Sequence, residues 1–212
     1  AAAGHGEDLV EAARLLDEAV KLFAHKGYPA TSTREIVEAA GVTKPMALSA
    51  MINSVIGWVG DWHAGGFPSL NMMLNEGAAA GATPVRLNLG LILGYILAPI
   101  AWVIGIEWND AIIAGGLIGQ KVVLNEFIAY LQLAQTPVGT GVGAISEHSR
   151  LILTYALCGF ANFASIAIQI GGIGSLAPER RADLARFGMR AVLGGSIATL
   201  MTATIAGVLL TL

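Results

Sequence analysis

Apolar positions run along this chain in long blocks, and few polar residues interrupt them. Over residues 8–26, Leu9, Ala12, Ala13, Leu16, Ala19, Val20 and Phe23 recur at helical spacing, which predicts a helix with one apolar face. Gly27-Tyr28-Pro29 ends it. Ser32 and Glu35 stand at capping-box spacing, a second short helix follows over 36–40, and Gly41-Val42 turns the chain, a helix-turn-helix pattern. From Met46 the texture changes. Residues 46–59 are apolar but shorter than the about 20 residues a membrane span needs. Residues 60–86 are small, polar and glycine-rich, and read as a loop or interfacial segment. Residues 87–106 are long enough to span, with a kink expected at Pro99, whose missing N–H breaks the helical ladder.

Polar residues cut the next two blocks. Residues 111–133 hold Lys121, Asn125 and Glu126 in an otherwise greasy stretch, which predicts a re-entrant hairpin or a discontinuous helix enclosed by protein. After a loop over 139–149, residues 151–176 form a span interrupted at Gly159-Phe160-Ala161-Asn162-Phe163-Ala164-Ser165. A short charged interfacial helix is expected over 178–190, with Pro178 near its first position, and a plain final span over 191–212. The expected fold is therefore an all-α membrane protein: transmembrane helices with a re-entrant or broken pair, behind a small soluble helical head. The expected divisions are a head over 1–45, a short apolar segment and glycine-rich loop over 46–86, and a transmembrane module over 87–212.

Composition sharpens this division. The chain is 55% hydrophobic and 13% charged, against about 25% charged in soluble domains. Twelve of its 27 charged side chains fall within residues 1–46. A net charge of −3 makes no global case for nucleic-acid binding. Arg180, Arg181, Arg186 and Arg190 are the densest basic cluster after residue 46, which places that loop on the cytoplasmic side and sends the C-terminus outward. The polar, acidic start carries no secretory signal pattern. Cys158 is the single cysteine, so no internal disulfide is expected, and its apolar setting reads as a small core residue. The histidines show no ligand spacing, no nucleophile–base–acid spacing stands out, and neither a metal site nor an enzyme is expected. Gly171-Gly172-Ile173-Gly174 lacks the strand and spacing of a nucleotide loop and reads as close helix packing.

Glu126 is the strongest candidate site residue. An acidic group at membrane depth marks a substrate or ion path by default, and a desolvated carboxylate can accept two hydrogen bonds from a sugar's vicinal hydroxyls. Its bland reading is a partner for Lys121, but the spacing of five is off the helical three or four. Asn162 can donate and accept at once, as a hydroxyl or heterocycle edge requires, or can hold helices together. Phe160 could lie against a base or sugar face and Ser165 could add a hydroxyl, or each could simply pack. Asn125 could line the cavity or cap the half-helix that begins beside it.

The run Gly119-Gln120-Lys121-Val122-Val123-Leu124-Asn125-Glu126-Phe127-Ile128-Ala129-Tyr130-Leu131 resembles the signature of concentrative nucleoside transporters. So do the stretches Ser149-Arg150-Leu151 to Asn162-Phe163, Ile170-Gly171-Gly172 to Arg180-Arg181, and Gly188-Met189-Arg190-Ala191. The likeness runs from about residue 87 to 212, and faintly over 52–60. It implies cation-coupled nucleoside uptake, with sodium or protons, across the bacterial inner membrane by a multi-pass trimer. The resemblance assigns ribose binding to Glu126 and Asn162 and places Phe160 and Ser165 beside the nucleoside. The family's first hairpin and its partner helix, which carry base recognition and most cation ligands, have no counterpart here. The expectation is thus the second half of a permease, keeping the ribose part of the site and lacking the coupling-ion part, with no other cofactor.

The stretch from Ala13-Arg14-Leu15-Leu16 to Gly41-Val42-Thr43-Lys44 resembles the DNA-binding arm of tetracycline-repressor-type regulators. That resemblance points to Thr33, Thr43 and Lys44 as DNA contacts. The family's aromatic pair is replaced by Pro45-Met46-Ala47-Leu48, so the groove-reading helix is incomplete and a nucleic-acid partner is not expected. A junction of two unrelated sequences near Lys44–Pro45 is the simplest account. Two alternatives to the transporter reading remain: a transcription regulator of that type, and an inactive fusion fragment.

Overall fold

The structure is a computed structural model. It describes residues 44–62, 68–76, 85–139 and 143–210, with residues 14, 17, 18, 21, 22 and 25 of the head. The described head positions are helical, and Lys21 pairs there with Asp17 at 2.6 Å and Glu18 at 2.7 Å, the i,i+4 and i,i+3 neighbours of a helix face. The rest of the expected helix-turn-helix lies outside the described residues. The chain divides into two compact units, residues 1–89 and 90–212.

In the first unit, α1 runs over Lys44–Asp61 and α2 over Leu70–Leu74. The stretch read as loop therefore contains a short helix, started by the Ser69 hydroxyl accepting from Met72 N at 3.2 Å. Asparagines tie it down. Asn71 is buried; it donates to Asp61 Oδ1 at 2.7 Å and to Gly57 O at 3.2 Å, and accepts from Leu87 N at 2.7 Å. Asn75 exchanges two bonds with the Val85 backbone at 2.6 Å each, and Arg86 pairs with Asp61.

The second unit is helical. Its elements are α3 (Leu89–Val103), α4 (Ala111–Val123), α5 (Glu126–Gln135), α6 (Glu147–Ala156), α7 (Phe163–Leu176), a 3₁₀ turn (Pro178–Arg180) and α8 (Arg181–Leu210). Pro99 lies inside α3. That helix ends where Gly105, at φ +104°, lets Ile106 N reach back to Ala101 O at 3.2 Å, satisfying an otherwise orphaned terminal carbonyl. The block 111–133 breaks at Leu124–Asn125, as expected of a re-entrant hairpin or a discontinuous helix, and its two arms pack on one another. Leu117 and Ile118 of one arm share a buried cluster with Ala129 and Leu133 of the other, and with Ile152, Leu153 and Leu157 around the second break.

Glycines set the close approaches. A Cβ at Gly115 would stand 2.7 Å from Gly94 O and 2.8 Å from Ala98 N, and one at Gly116 would stand 2.7 Å from Gly90 O, so α4 lies against the backbone of α3. Of the glycines read as close packing, Gly174 does face a neighbour, the Arg181 side chain, whereas Gly171 and Gly172 face open space.

Two expectations need correction. The predicted interfacial helix and final span are one continuous helix, α8, because nothing near Arg190–Ala191 breaks the ladder. Cys158 is exposed rather than buried, because it falls in the unwound stretch between α6 and α7. Among the described residues one helix, Pro178–Leu209, is long and apolar enough to cross a membrane, and α3, α4 and α7 are shorter apolar helices. Along α8 the side chains of Leu193, Ile197, Met201, Ile205 and Leu209 form an exposed stripe at four-residue spacing, a surface that suits lipid rather than water.

Candidate functional site

Each half-helix that starts after a break is capped by the asparagine before it. Asn125, in extended conformation, accepts from Ile128 N at 2.9 Å and starts α5. Asn162, also extended, accepts from Ser165 N at 2.8 Å and starts α7. An Asx cap satisfies one of the orphan N–H groups of a first helical turn, so the same local chemistry restarts the helix at both breaks.

The packing of α4 against α7 then brings the two restarts together. Asn162 Nδ2 donates to Glu126 Oε2 at 2.9 Å across 36 residues of sequence. Asn162 is only 4% exposed, and Glu126 is half-buried. Glu126 occupies the first turn of α5, where the positive end of a helix favours a carboxylate, and Asn162 carries that carboxylate to the N-terminus of α7 as well. Oε1 of Glu126 takes no hydrogen bond among the described residues.

The other expected site residues surround this bond. The Ser165 hydroxyl donates to Phe160 O at 2.7 Å and lies 2.9 Å from Asn162 Oδ1. Phe160 is 72% exposed and, with Ala161, Ser165 and Gln169, lines one end of an open cavity of about 570 Å³ between α7 and α8. Glu126, Asn162, Ser165 and Phe160 thus form one connected patch, with Asn125 beside it as a helix cap. Thr33 and Thr43 lie outside the described residues, and Lys44 opens α1.

Sequence reasoning missed what holds the patch in place. Tyr130 on α5 donates to Thr154 O of α6 at 2.6 Å. Buried Asp110 accepts from Ser146 N at 2.9 Å, tying the start of α4 to that of α6. Gly159 lets the second break lie against Thr199 of α8. The only sequence signal was the glycine itself, placed in a polar interruption. Lys121 is 2% exposed, yet it makes no hydrogen bond or direct ion pair among the described residues.

Broken apolar helices whose capped N-termini meet at a half-buried carboxylate define a membrane protein of the transport class, in which irregular backbone lines a cavity. The family described as "Na+ dependent nucleoside transporter C-terminus" matches residues 35–207, and the chain belongs to it. The match takes in α1 and α2 as well as the module from 87. A second family, "Bacterial regulatory proteins, tetR family", matches residues 15–47.

Individual relatives point the same way. "Uncharacterized transporter YutK" of Bacillus subtilis is 52% identical over 120 residues, 57% of this chain and 28% of that protein. "Nucleoside permease NupC" of Helicobacter pylori is 48% identical over 122 residues, 58% and 29% respectively. "Sodium/nucleoside cotransporter 1" of Mus musculus is 35% identical over 181 residues, 81% and 25%. The solved structure of CNTnw "in an inward-facing substrate-bound state" superposes with TM-score 0.60 at 39% identity, covering 84% of this chain and 41% of that one. A CNTnw variant "in the intermediate 1 state" gives TM-score 0.61 at 43% identity over 82% of this chain and 37% of that one. The chain therefore spans between a quarter and a third of the curated relatives named here.

Proposed function

We propose that this chain carries the ribose-binding part of a cation-coupled nucleoside symporter. The observation behind this reading is the Asn162–Glu126 bond at 2.9 Å, which presents a half-buried carboxylate with its Oε1 unengaged among the described residues. Two vicinal hydroxyls of a ribose can each donate to that carboxylate. Asn162 and Ser165 add amide and hydroxyl groups, and exposed Phe160 offers an apolar face to sugar or base. Water is displaced as the sugar seats, which strengthens these charge-assisted bonds. The coupling cation, sodium or proton, travels as co-substrate. Its ligands and the base-recognising groups belong to a part of the permease with no counterpart in this sequence.

The same reading sets the protein in the bacterial inner membrane as a multi-pass chain, with the Arg180–Arg190 stretch cytoplasmic and trimeric assembly as in the family. The test is thermal unfolding of the purified chain in detergent with and without uridine. Uridine raises the midpoint of the wild type and leaves that of Glu126→Gln unchanged. Retention of the full shift in Glu126→Gln refutes the site. Extraction of the chain from membranes by alkaline carbonate would favour the regulator reading instead.

A further inference from the structure

We infer that the groove between α7 and α8 seats one anionic phospholipid, with an acyl chain between the helices and the phosphate on the arginines where they join. The inference goes beyond the nucleoside reading and does not depend on it. The cavity of about 570 Å³ has walls of Ile166, Gln169 and Ile173 from α7 and of Leu184, Phe187 and Val192 from α8. One end holds Arg180 and Asp183, at the junction of the two helices, and the other holds Phe160 and Ser165, beside the second break. Between those ends the walls are apolar, with Gln169 the polar exception.

Length and charge both fit this occupant. α7 has 14 residues, about 21 Å of helix. One leaflet offers about 15 Å of hydrocarbon, half of the bilayer core. A groove along α7 therefore takes an acyl chain through one leaflet and leaves its headgroup at the arginines. That end is positively charged, because four arginines stand there against Glu179 and Asp183. Arg180 bonds to Asp183 at 2.6 Å through Nε, and among the described residues its two terminal nitrogens have no acceptor. Arg186 and Arg190 have no carboxylate partner among the described residues. Their guanidinium carbons each lie 5.9 Å from the centre of the Phe187 ring, which lines the groove.

A phosphodiester offers two charged oxygens to such guanidinium forks, and basic pockets between membrane helices at the interface bind anionic headgroups in this way. A zwitterionic lipid brings the same tail but adds an ammonium, which the excess of arginine repels. A free anion satisfies the arginines and leaves Ile173 and Phe187 exposed in the groove, so the arrangement suits a ligand with a charged head and an apolar tail.

The test uses the full chain purified in dodecylmaltoside and followed by thermal shift. Dioleoylphosphatidylglycerol is expected to raise the unfolding midpoint. Dioleoylphosphatidylcholine should bind at least about tenfold more weakly, and inorganic phosphate at the same concentrations should give no shift. Two variants separate a built site from general charge attraction. The triple variant Arg180→Gln, Arg186→Gln, Arg190→Gln should bind phosphatidylglycerol at least about tenfold more weakly. Ala191→Phe keeps every charge but fills the groove, and should lose the lipid while its lipid-free midpoint stays near that of the wild type. Should Ala191→Phe not fold, Gln169→Trp, at an exposed position of the opposite wall, goes through the same titration.

Equal shifts with the two lipids, or full affinity in either variant, overturn the inference. So does a wild type that ignores both lipids, the result expected if the remainder of a permease covers this groove. Uridine binding at Glu126 is read in a separate titration, so failure here and failure of the nucleoside reading are told apart.

Discussion

The amide of Asn162 serves two helices: its Oδ1 caps α7 through Ser165 N at 2.8 Å, and its Nδ2 holds the Glu126 carboxylate at the head of α5 at 2.9 Å. Structural and binding roles therefore share one side chain, and different substitutions should separate them.

Asn162→Ser keeps a capping oxygen and shortens the reach to Glu126. It should unfold close to the wild-type midpoint while losing the uridine-dependent shift. Asn162→Ala loses both roles and should be destabilised by about 1–2 kcal/mol. Thermal or denaturant unfolding of the three chains, each with and without uridine, checks this. Equal uridine shifts in Asn162→Ser and wild type would show that the bridge to Glu126 is dispensable.

Among the described residues, the Asn125 side chain bonds as a cap, accepting from Ile128 N at 2.9 Å. Asn125→Ser should be nearly neutral, and Asn125→Ala should cost about 1 kcal/mol. The Ile128 amide, which Asn125 now holds, should exchange its hydrogen faster in Asn125→Ala, as hydrogen–deuterium exchange over residues 125–131 would show.

The approach of α4 to α3 leaves no room at Gly115, where a Cβ would meet both Gly94 O at 2.7 Å and Ala98 N at 2.8 Å. Backbone atoms cannot step aside as a flexible side chain can. Gly115→Val should destabilise by about 1–3 kcal/mol or more, whereas Gly171→Ala, at a glycine that faces open space, should not. Unfolding midpoints of the two variants compare these sites directly.

α8 has 30 residues, about 45 Å of helix against about 30 Å of hydrocarbon, so one end must protrude. The arginine-rich end is the one that can, and Arg186 and Arg190 both lie 5.9 Å from the Phe187 ring there, an amphipathic cluster suited to the interface. In a Cys158→Ser background, Ala182→Cys should react with a water-soluble maleimide in sealed inside-out vesicles, whose cytoplasmic face is outermost. Thr202→Cys should stay unlabelled. Labelling of both would place α8 outside the bilayer.

The two breaks, their polar interruptions and a possible cap at Asn125 were legible in the amino-acid order, because a cap spans three residues and hydrophobic periodicity spans a turn or two; the cap at Asn162 was not, since it was read as a binding group or interhelical glue. Asn125 stands directly before Glu126-Phe127-Ile128, as a cap requires. Where local signals were equivocal the linear reading failed: residues 181–210 formed one helix where an interfacial helix and a separate span were expected, and Cys158 was exposed because unwinding at a break, not the apolar character of its neighbours, sets its surroundings. Only the tertiary structure decided that Asn162 reaches Glu126, that Lys121 is buried without touching it, and that Gly115 admits the α3 backbone. Those relations join residues far apart along the chain or across a helix break. Helix packing, a sum over many weak contacts, sets such distances, and no short window of sequence contains them.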